Sequence, residues 1–359
     1  MRVLAIETSC DETAVSILEC SGALRQGDTL PQGVTFVVLG NALFSQAHLH
    51  AEYGGVFPTL AKREHIKNLP IMYERATQEA GTPSIDLIAV TQGPGLEPAL
   101  WTGIEYAKEL GKKLGVPVYG TDHMEGHIVS GLVTETGSMS YELGTTNFPV
   151  LGLLISGGHT ELVLMKDWFQ YELVGRTLDD AVGEAFDKVA RMLELEYPGG
   201  PKIEKLAAQA KARGAVHALT FPRPMAHDSS CNFSFSGLKT AVLYQVRKMN
   251  NLSDDDKEHV AQAFQDAARD VLVLKTKKAL DETGARTLAV GGGVSASTYI
   301  REGLEEMVVH DFPDVRISYP TGGLHLDNAI MIGMAAYLRH SAGMPGRPLV
   351  AHGAQKLAP

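Results

Sequence analysis

Residues 3–18 read VLAIETSCDETAVSIL, residues 150–165 read VLGLLISGGHTELVLM, and the two stretches share one plan. In each, an apolar run leads through a short polar or glycine turn into a second apolar run, which begins near Thr13 or Thr160. The pattern predicts a β-hairpin at the start of each half of the chain. Such a repeat indicates a duplicated architecture of two similar α/β lobes facing a cleft. Two ordinary hairpins in one mixed sheet are the alternative.

A third segment, TLAVGGGVSAS at residues 287–297, carries an apolar strand through three glycines into a helix start. Glycine lets the backbone approach a ligand closely, and a helix N-terminus favours an anion or a sugar hydroxyl. The loop lacks the lysine of a GxxxxGK[ST] loop and is not a clear GxGxxG fingerprint. Together with the two hairpin turns, whose N–H groups can form anion-binding concavities, it predicts a nucleotide held between the lobes.

Hydrophobic periodicity predicts the rest of the scaffold. We expect helices at 60–80, 98–114, 180–195, 202–212, 256–283 and 326–340, and strands at 34–44, 86–91, 116–120, 286–291 and 315–319. The polar segments 20–33 and 131–148 are typical of exposed loops or hairpin tips.

Length and composition limit the class of protein. The 359 residues suffice for two packed lobes, and 44% hydrophobic with 21% charged residues is typical of a globular protein in water. A net charge of −10 means that a nucleic-acid substrate would need a local basic patch or a partner protein. Three cysteines without metal or disulfide spacing favour a reducing cytoplasm, and neither a signal peptide nor a membrane span is expected.

The pair His123 and His127 lies in the stretch HMEGH. Histidines four apart share one helical face, so they either bind one divalent metal or are two solvated helix residues. The zincin signature has its glutamate directly after the first histidine, whereas Glu125 stands one position later. Near the C-terminus, Asp327 is a third, oxygen ligand for such a metal, and His325 is its rival.

Acidic residues follow both hairpins. Asp11 and Glu12 occupy the first predicted turn. They are either functional, as a base or as ligands to a cation, or ordinary turn residues, since aspartate is common in turns. In DDAVGEAFDK, at residues 179–188, Asp187 and its acidic neighbours either hold a ribose or form a solvated helix face. Segments 45–65 and 232–239 each combine aromatic and basic residues, and they either line a nucleic-acid path or are ordinary surface and core.

The order of the motifs across nearly the whole chain resembles one family. They are IETSCDET, YGGVFPTLAKREH, TQGPGL, DHMEGH, LISGGHTELV, DDAVGEAFDKVA, YPGGP, FSFSGLKTAV, GGGVSAS and LDNA. The chain is similar to the TsaD branch of the universal tRNA threonylcarbamoyladenosine-modifying family, formerly described as glycoproteases. His159 is typical of the bacterial branch.

The resemblance implies a duplicated, two-lobe actin/Hsp70/sugar-kinase-like α/β fold with a nucleotide cleft between the lobes. We expect an N-terminal lobe of residues 1–125 and 328–359 and a C-terminal lobe of residues 126–327. The implied enzyme transfers the threonylcarbamoyl group from threonylcarbamoyl-AMP to N6 of the adenosine that follows the anticodon, in tRNAs reading codons that begin with A, and AMP leaves. Asp11 or Glu12 would position or deprotonate the amine.

The resemblance also implies ligands and partners. One divalent metal per subunit, Fe²⁺ or else Zn²⁺, would be held by His123, His127 and Asp327. A paralogous TsaB-like protein and a small TsaE-like ATPase would assist in the cytoplasm, with no membrane partner. Ser297 stands where the family usually has asparagine. The implied substrate contacts are Leu154, Ile155, Ser156, Gly157, Gly158, Asp187, Gly200, Glu204 and Ser297.

Three other functions compete with this interpretation. A metalloprotease would use the histidine pair but would leave the glycine loops unexplained. A kinase or ATP-driven chaperone would share the fold, which is analogy and not evidence from a site. A non-catalytic scaffold would not need the histidines at all.

Overall fold

The computed structural model describes residues 1–24, 33–213, 219–249 and 251–357 as an α/β protein. The strands are β1 Arg2–Glu7, β2 Glu12–Ser21, β3 Thr35–Ser45, β4 Leu87–Gly93, β5 Val118–Asp122, β6 Val133–Gly137, β7 Ser140–Leu143, β8 Val150–Ile155, β9 Thr160–Asp167, β10 Gln170–Arg176, β11 Thr287–Gly291 and β12 Arg316–Ser318. The helices are α1 Ala47–His50, α2 Pro58–Glu79, α3 Glu97–Leu114, α4 His123–Leu132, α5 Val182–Met192, α6 Gly200–Ala212, α7 Ser236–Lys248, α8 Asp254–Thr283, α9 Thr298–Asp311 and α10 Ala329–Ser341.

The two sheets repeat one strand order, as the paired hairpins predicted. The first sheet runs β5-β4-β1-β2-β3-β7-β6, and the second, read from its other edge, runs β12-β11-β8-β9-β10. In each sheet the first strand of the hairpin, β1 or β8, pairs in parallel with a later strand, β4 or β11. The duplicated α/β fold is therefore confirmed, and the first sheet differs by its additional β6–β7 edge.

Residues 3–6 of strand β1 are all apolar and buried, because helices cover both faces of its sheet. Leu4 and Ile6 point into a core that α2 and α3 complete. Helix α10 packs against β1 and β2 from the opposite side. There a Cβ at Gly333 would come within 2.7 Å of the Leu18 side chain, so glycine allows the helix to lie this close.

The chain divides into two compact units whose boundaries differ from the predicted ones. The first unit comprises 1–148, 165–171 and 318–359, and the second comprises 149–164 and 172–317. Segment 126–148 belongs to the first unit because β7 pairs with β3 and α4 packs against α10. Segment 318–327 lies in the first unit as well.

The helices and strands predicted by periodicity all form, with ends shifted by a few residues. Segment 131–148 contains the β6–β7 hairpin, and residues 25–32 of the other predicted loop lie outside the described part. Helices α1 and α7 were not predicted as elements, and of α9 only the start after the glycine loop was predicted. Among the described helices, none combines the length and the apolarity that a bilayer crossing requires.

Candidate functional site

Helix α4 directs both histidines of HMEGH to one place in the first unit. Strand β5 leads directly into the helix, and the Asp122 carboxylate caps it by accepting from the N–H groups of Met124 (2.9 Å) and Glu125 (3.2 Å). The rings of His123 and His127 lie 4.6 Å apart, centre to centre. They are 4% and 1% exposed, which excludes the alternative of two solvated histidines.

The two imidazoles converge on Asp327, which lies just before α10. Its Oδ1 atom is 3.4 Å from His123 Nε2 and 3.2 Å from His127 Nε2. The three candidate ligand atoms all lie within 4.8 Å of one another. Two imidazole nitrogens and one carboxylate oxygen suit iron or zinc and leave further coordination positions for a substrate. The structure thus brings the three predicted ligands together across 200 residues of sequence.

Glu7, at the end of β1, orients the first histidine. Its carboxylate lies 3.1 Å from His123 Nδ1 and also accepts from the Thr91 hydroxyl at 2.6 Å. Because a carboxylate accepts the Nδ1 proton, the Nε2 lone pair is directed towards Asp327. Sequence reasoning missed Glu7, although an acidic residue at the end of a buried strand was a usable signal.

The electrostatics of this cluster favour a cation. Burial opposes ionisation of Asp327, but His123 and His127 outweigh it and hold the pKa of that carboxyl well below its usual range. Burial also opposes charge on His123, yet Asp327 and Glu7 raise its pKa well above the usual value. A buried positive charge is therefore stabilised between two carboxylates, and a metal ion fits the same requirement.

Glu125, the acidic residue between the histidines, faces away from them. It is fully buried, and its carboxylate forms an ion pair with Arg339 at 2.8 Å and accepts from the Tyr171 hydroxyl at 2.8 Å. Two positions along a helix correspond to about 200° of rotation, so Glu125 cannot share the face of His123 and His127. Glu125 therefore cannot serve as the general base of a zincin-type protease at these two histidines.

Asp11 ends the turn between β1 and β2, and Glu12 begins β2, in the same unit. Burial raises the pKa of Asp11, and burial together with the charge of Asp11 raises the pKa of Glu12 well above its usual range. The Ser45 hydroxyl donates to Glu12 at 3.3 Å. The pair therefore retains a proton more readily than two separate carboxyls would, which is suitable for proton transfer.

The glycine turns of the second unit meet at the end of β8. Leu154 and Ile155 end the strand, and a Cβ at Gly292, whose φ is +87°, would lie 2.5 Å from the Ile155 carbonyl oxygen. The Ser156 carbonyl accepts from Gly183 N–H at 3.2 Å, which joins the turn to the start of α5. At Gly157 and Gly158 a Cβ would meet nothing within 4 Å, so the turn presents open backbone.

The remaining predicted substrate contacts, Asp187, Gly200, Glu204 and Ser297, lie in the same unit. The Asp187 carboxylate accepts from Gly199 N–H at 2.7 Å, directly before Gly200 begins α6. The Glu204 carboxylate accepts from the Thr298 hydroxyl at 2.8 Å. The neighbouring residue, Ser297, caps α9 by accepting from Ile300 N–H, so its hydroxyl already serves the helix.

Two acidic neighbours of Asp187 have a structural role. Lys188 binds Asp180 at 2.8 Å and Glu184 at 2.9 Å, and Lys239 also binds Asp180 at 2.8 Å. These ion pairs hold α5 and α7 together and occupy the carboxylates that the sequence had offered as ribose ligands.

Comparisons with known sequences point to one family. Residues 37–334 match the model of the TsaD family, described as tRNA N6-adenosine threonylcarbamoyltransferase. The chain is 41% identical over 346 residues to a protein of that name from Thermosipho africanus, covering 96% of each. It is 42% identical over 348 residues to a protein of that name from Polynucleobacter necessarius, covering 94% of this chain and 92% of that protein.

Solved structures agree on the fold. The chain is similar to HypF from T. kodakarensis, with a TM-score of 0.58 at 14% identity, and to a nucleotide-bound HypF, with a TM-score of 0.56 at 11% identity. The matches cover 95% of this chain but only 48% and 46% of those proteins, about half their length. At this identity they show the fold alone, which is of the actin/Hsp70/sugar-kinase type.

Proposed function

This chain belongs to the TsaD family, and from that premise we propose how its residues divide the work of the reaction. The activity is that of a tRNA N6-adenosine threonylcarbamoyltransferase, as the sequence predicted. The donor in our proposal is threonylcarbamoyl-AMP, and the acceptor is the adenosine that follows the anticodon in tRNAs reading codons that begin with A. The convergence of two imidazole Nε2 atoms on the Asp327 carboxylate carries the proposal.

The proposed reaction is an acyl transfer. The N6 amine attacks the carbamoyl carbon, the bond from that carbon to the phosphate oxygen breaks, and AMP leaves with the electron pair. The amine loses one proton, which Asp11 or Glu12 accepts in our proposal. The support is the position of this acidic pair where the β1–β2 turn meets β2, in the same unit as the three proposed metal ligands, together with its raised pKa values.

We assign one divalent cation to His123, His127 and Asp327, with Fe²⁺ as the first expectation and Zn²⁺ as the second. When bound, such an ion would grip the threonyl part of the donor and polarise its oxygens. Other residues of the chain orient these ligands. Glu7 fixes His123, and Asn328 caps α10 by accepting from Met331 N–H at 2.9 Å, which holds the segment that bears Asp327.

The loops of the second unit receive the nucleotide part in this proposal. The backbone at Gly157 and Gly158 leaves room for a ligand, and the Gly157 N–H can donate to a phosphate or a developing negative charge, whereas the Gly158 N–H donates to the Ser156 hydroxyl at 3.3 Å. Asp187 and Glu204 offer carboxylate oxygens to hydroxyls, with Gly200 between them in sequence. Ser297 can offer only a hydroxyl where the family usually has an amide, and that hydroxyl caps α9.

The alternative functions are not favoured. For a zincin-type protease, Glu125 is the glutamate of the histidine motif, but it is bound to Arg339 and Tyr171 and faces away from both histidines. The kinase and chaperone alternatives rest on the fold, which HypF-like proteins share at 14% identity or less.

We further propose the cytoplasm as the compartment and two assisting proteins, a TsaB-like paralogue and a TsaE-like ATPase. The three cysteines are free thiols, which suits a reducing compartment. A net charge of −10 argues against tight binding of tRNA by the whole surface of this chain, so other proteins would contribute.

The transfer itself can be tested directly. Purified chain, given threonylcarbamoyl-AMP, unmodified tRNA and the two partners, is expected to release one AMP for each modified adenosine. Mass spectrometry of nucleosides and chromatography of AMP measure both products. AMP release without modified tRNA would contradict the proposed transfer, and tRNA lacking the target adenosine is the control.

Replacing the acidic pair tests its role in proton transfer. Asp11→Asn and Glu12→Gln keep the size of each side chain but remove the carboxylate that accepts the proton. The transfer rate at saturating substrates is expected to fall by about 10²–10⁴-fold in the variant that loses the base. Glu19→Gln, on the exposed part of β2, is the control. If both variants transfer at the wild-type rate, neither carboxylate accepts the proton, and the pair has only a structural role.

A further inference from the structure

Two aromatic rings lie on the surface of the first unit before α2. Tyr53 and Phe57 are 58% and 48% exposed. Their ring centres lie 5.3 Å apart with 16° between the planes, so they stack on each other. A stacked pair with this much exposed ring is a flat apolar surface directed at solvent, which we name the aromatic platform.

The surroundings of the platform suit a nucleic acid. Lys62 and Arg63, both exposed, follow in the first turns of α2, and the Arg63 side chain is 74% exposed. Glu52 is exposed as well, whereas the next acidic residue, Glu64, is largely buried and forms ion pairs with Arg63 at 3.6 Å and Lys67 at 3.5 Å. A Cβ at Gly55 would meet nothing within 4 Å, so space beside the rings is open.

A chain of hydrogen bonds fixes the platform to the turn that bears the acidic pair. Phe57 N–H donates to His50 Nδ1 at 3.2 Å, which leaves the proton of the neutral ring on Nε2. His50 Nε2 donates to the Gln46 side-chain oxygen at 3.1 Å, and Gln46 N–H donates to the Asp11 carbonyl at 2.9 Å. His50 and Gln46 are fully buried, so this connection is held rigidly.

A second buried histidine fixes the same turn from α2. His65 Nε2 donates to the Cys10 carbonyl at 3.0 Å, and its Nδ1 lies 2.8 Å from the Thr13 hydroxyl. The residues on either side of the acidic pair, Cys10 and Thr13, are thus bound to His65 on α2. The Asp11 carbonyl is bound through Gln46 and His50 to the segment that carries the platform. A ligand on the platform would be placed at a defined position relative to this turn.

We infer that Tyr53 and Phe57 form a stacking site for an unpaired base of the tRNA anticodon loop, with Lys62 and Arg63 contacting its phosphates. Unpaired bases splayed onto aromatic side chains are the usual mode of recognition for single-stranded RNA. The target adenosine lies in such a loop, and its N6 must reach the acidic turn. The inference rests on the tRNA-modifying function and adds where this chain holds the loop.

The test compares Tyr53→Leu, which removes the ring but keeps an apolar side chain, with Tyr53→Phe, which keeps the ring. Stacking of one base on an aromatic ring contributes about 1–3 kcal/mol, so Tyr53→Leu is expected to weaken tRNA binding by the assembled enzyme about tenfold. Tyr53→Phe, which keeps the ring, should bind tRNA with the wild-type affinity. Tyr244→Leu on α7 is the matched control, since Tyr244 is 59% exposed and lies in the second unit.

A base-specific probe separates stacking from general binding. An unmodified tRNA transcript carries 2-aminopurine at one anticodon-loop position at a time, and its fluorescence is quenched where the base stacks. At least one position is expected to be quenched by wild-type enzyme and to recover with Tyr53→Leu. Unchanged tRNA affinity and quenching in Tyr53→Leu would overturn the inference, as would loss of partner-protein binding alone, which would make the platform a protein contact. Failure of the wild-type enzyme to modify tRNA would instead count against the proposed function.

Discussion

Replacing His123 with alanine is expected to prevent metal binding at the proposed metal centre and to abolish transfer of the threonylcarbamoyl group. The variant loses one of three donors, and Glu7 loses the imidazole that it orients. Removing a partner that only orients a ligand typically costs 10–100-fold in metal affinity, so loss of the ligand itself should cost about 100-fold or more. Elemental analysis gives metal per chain, and the tRNA transfer rate is measured on the same samples.

Two further variants show whether the loss of metal is specific to His123 and its hydrogen-bond partner. Glu7→Gln keeps all three ligands but weakens the hydrogen bond to His123 Nδ1, and we expect a loss of metal affinity of about 10–100-fold. His310→Ala removes a histidine whose side chain is 87% exposed on α9, so metal content should not change. Full metal content and full transfer in His123→Ala would exclude the assigned centre and would favour the scaffold interpretation.

Replacing Arg339 with methionine is expected to destabilise the protein by about 3–5 kcal/mol. The change leaves the Glu125 carboxylate in a site where it is 0% exposed and where the Tyr171 hydroxyl is its other hydrogen-bond partner. An uncompensated buried charge has lost its hydration without gaining a counter-ion. Urea unfolding followed by far-ultraviolet circular dichroism measures the loss.

The controls use the same type of ion pair in other surroundings. Lys108→Met breaks an exposed pair with Glu105 at 2.9 Å on α3 and should change stability by less than about 1 kcal/mol. The double variant Arg339→Met with Glu125→Leu removes both charges and is expected to recover much of the lost stability. If Arg339→Met alone unfolds at the wild-type urea concentration, the buried pair does not hold α4 to α10.

Much of the fold could be predicted because its signals are local. The hairpins at 3–18 and 150–165 each contain two apolar runs and a turn, and both form as expected in equivalent positions of two sheets. Helices α2, α3, α5, α6, α8 and α10 follow from periodicity over a few turns. Family membership also followed from short motifs in a fixed order, and the match over residues 37–334 confirms it.

Other features depend on contacts between distant segments. Segment 126–148 looked like the start of the second lobe, but β7 pairs with β3, more than 90 residues earlier in the chain, and this pairing assigns it to the first unit. Glu7 carried no motif of its own that linked it to His123, 116 positions away. Ser297 departs from the family pattern, and only the structure assigns its hydroxyl to the cap of α9.

The sequence by itself determined the duplicated α/β plan, the family, and the candidate residues for a metal centre, because apolar periodicity, turn chemistry and motif order are properties of neighbouring residues. The tertiary structure decided how those residues meet. The packing of β1 places Glu7 against His123. The turn of helix α4 directs Glu125 away from the histidine face towards Arg339. The packing of α10 places Asp327, just before that helix, beside His127, 200 positions away in sequence. Which donors share one small volume depends on packing between distant segments, and no local pattern encodes that distance.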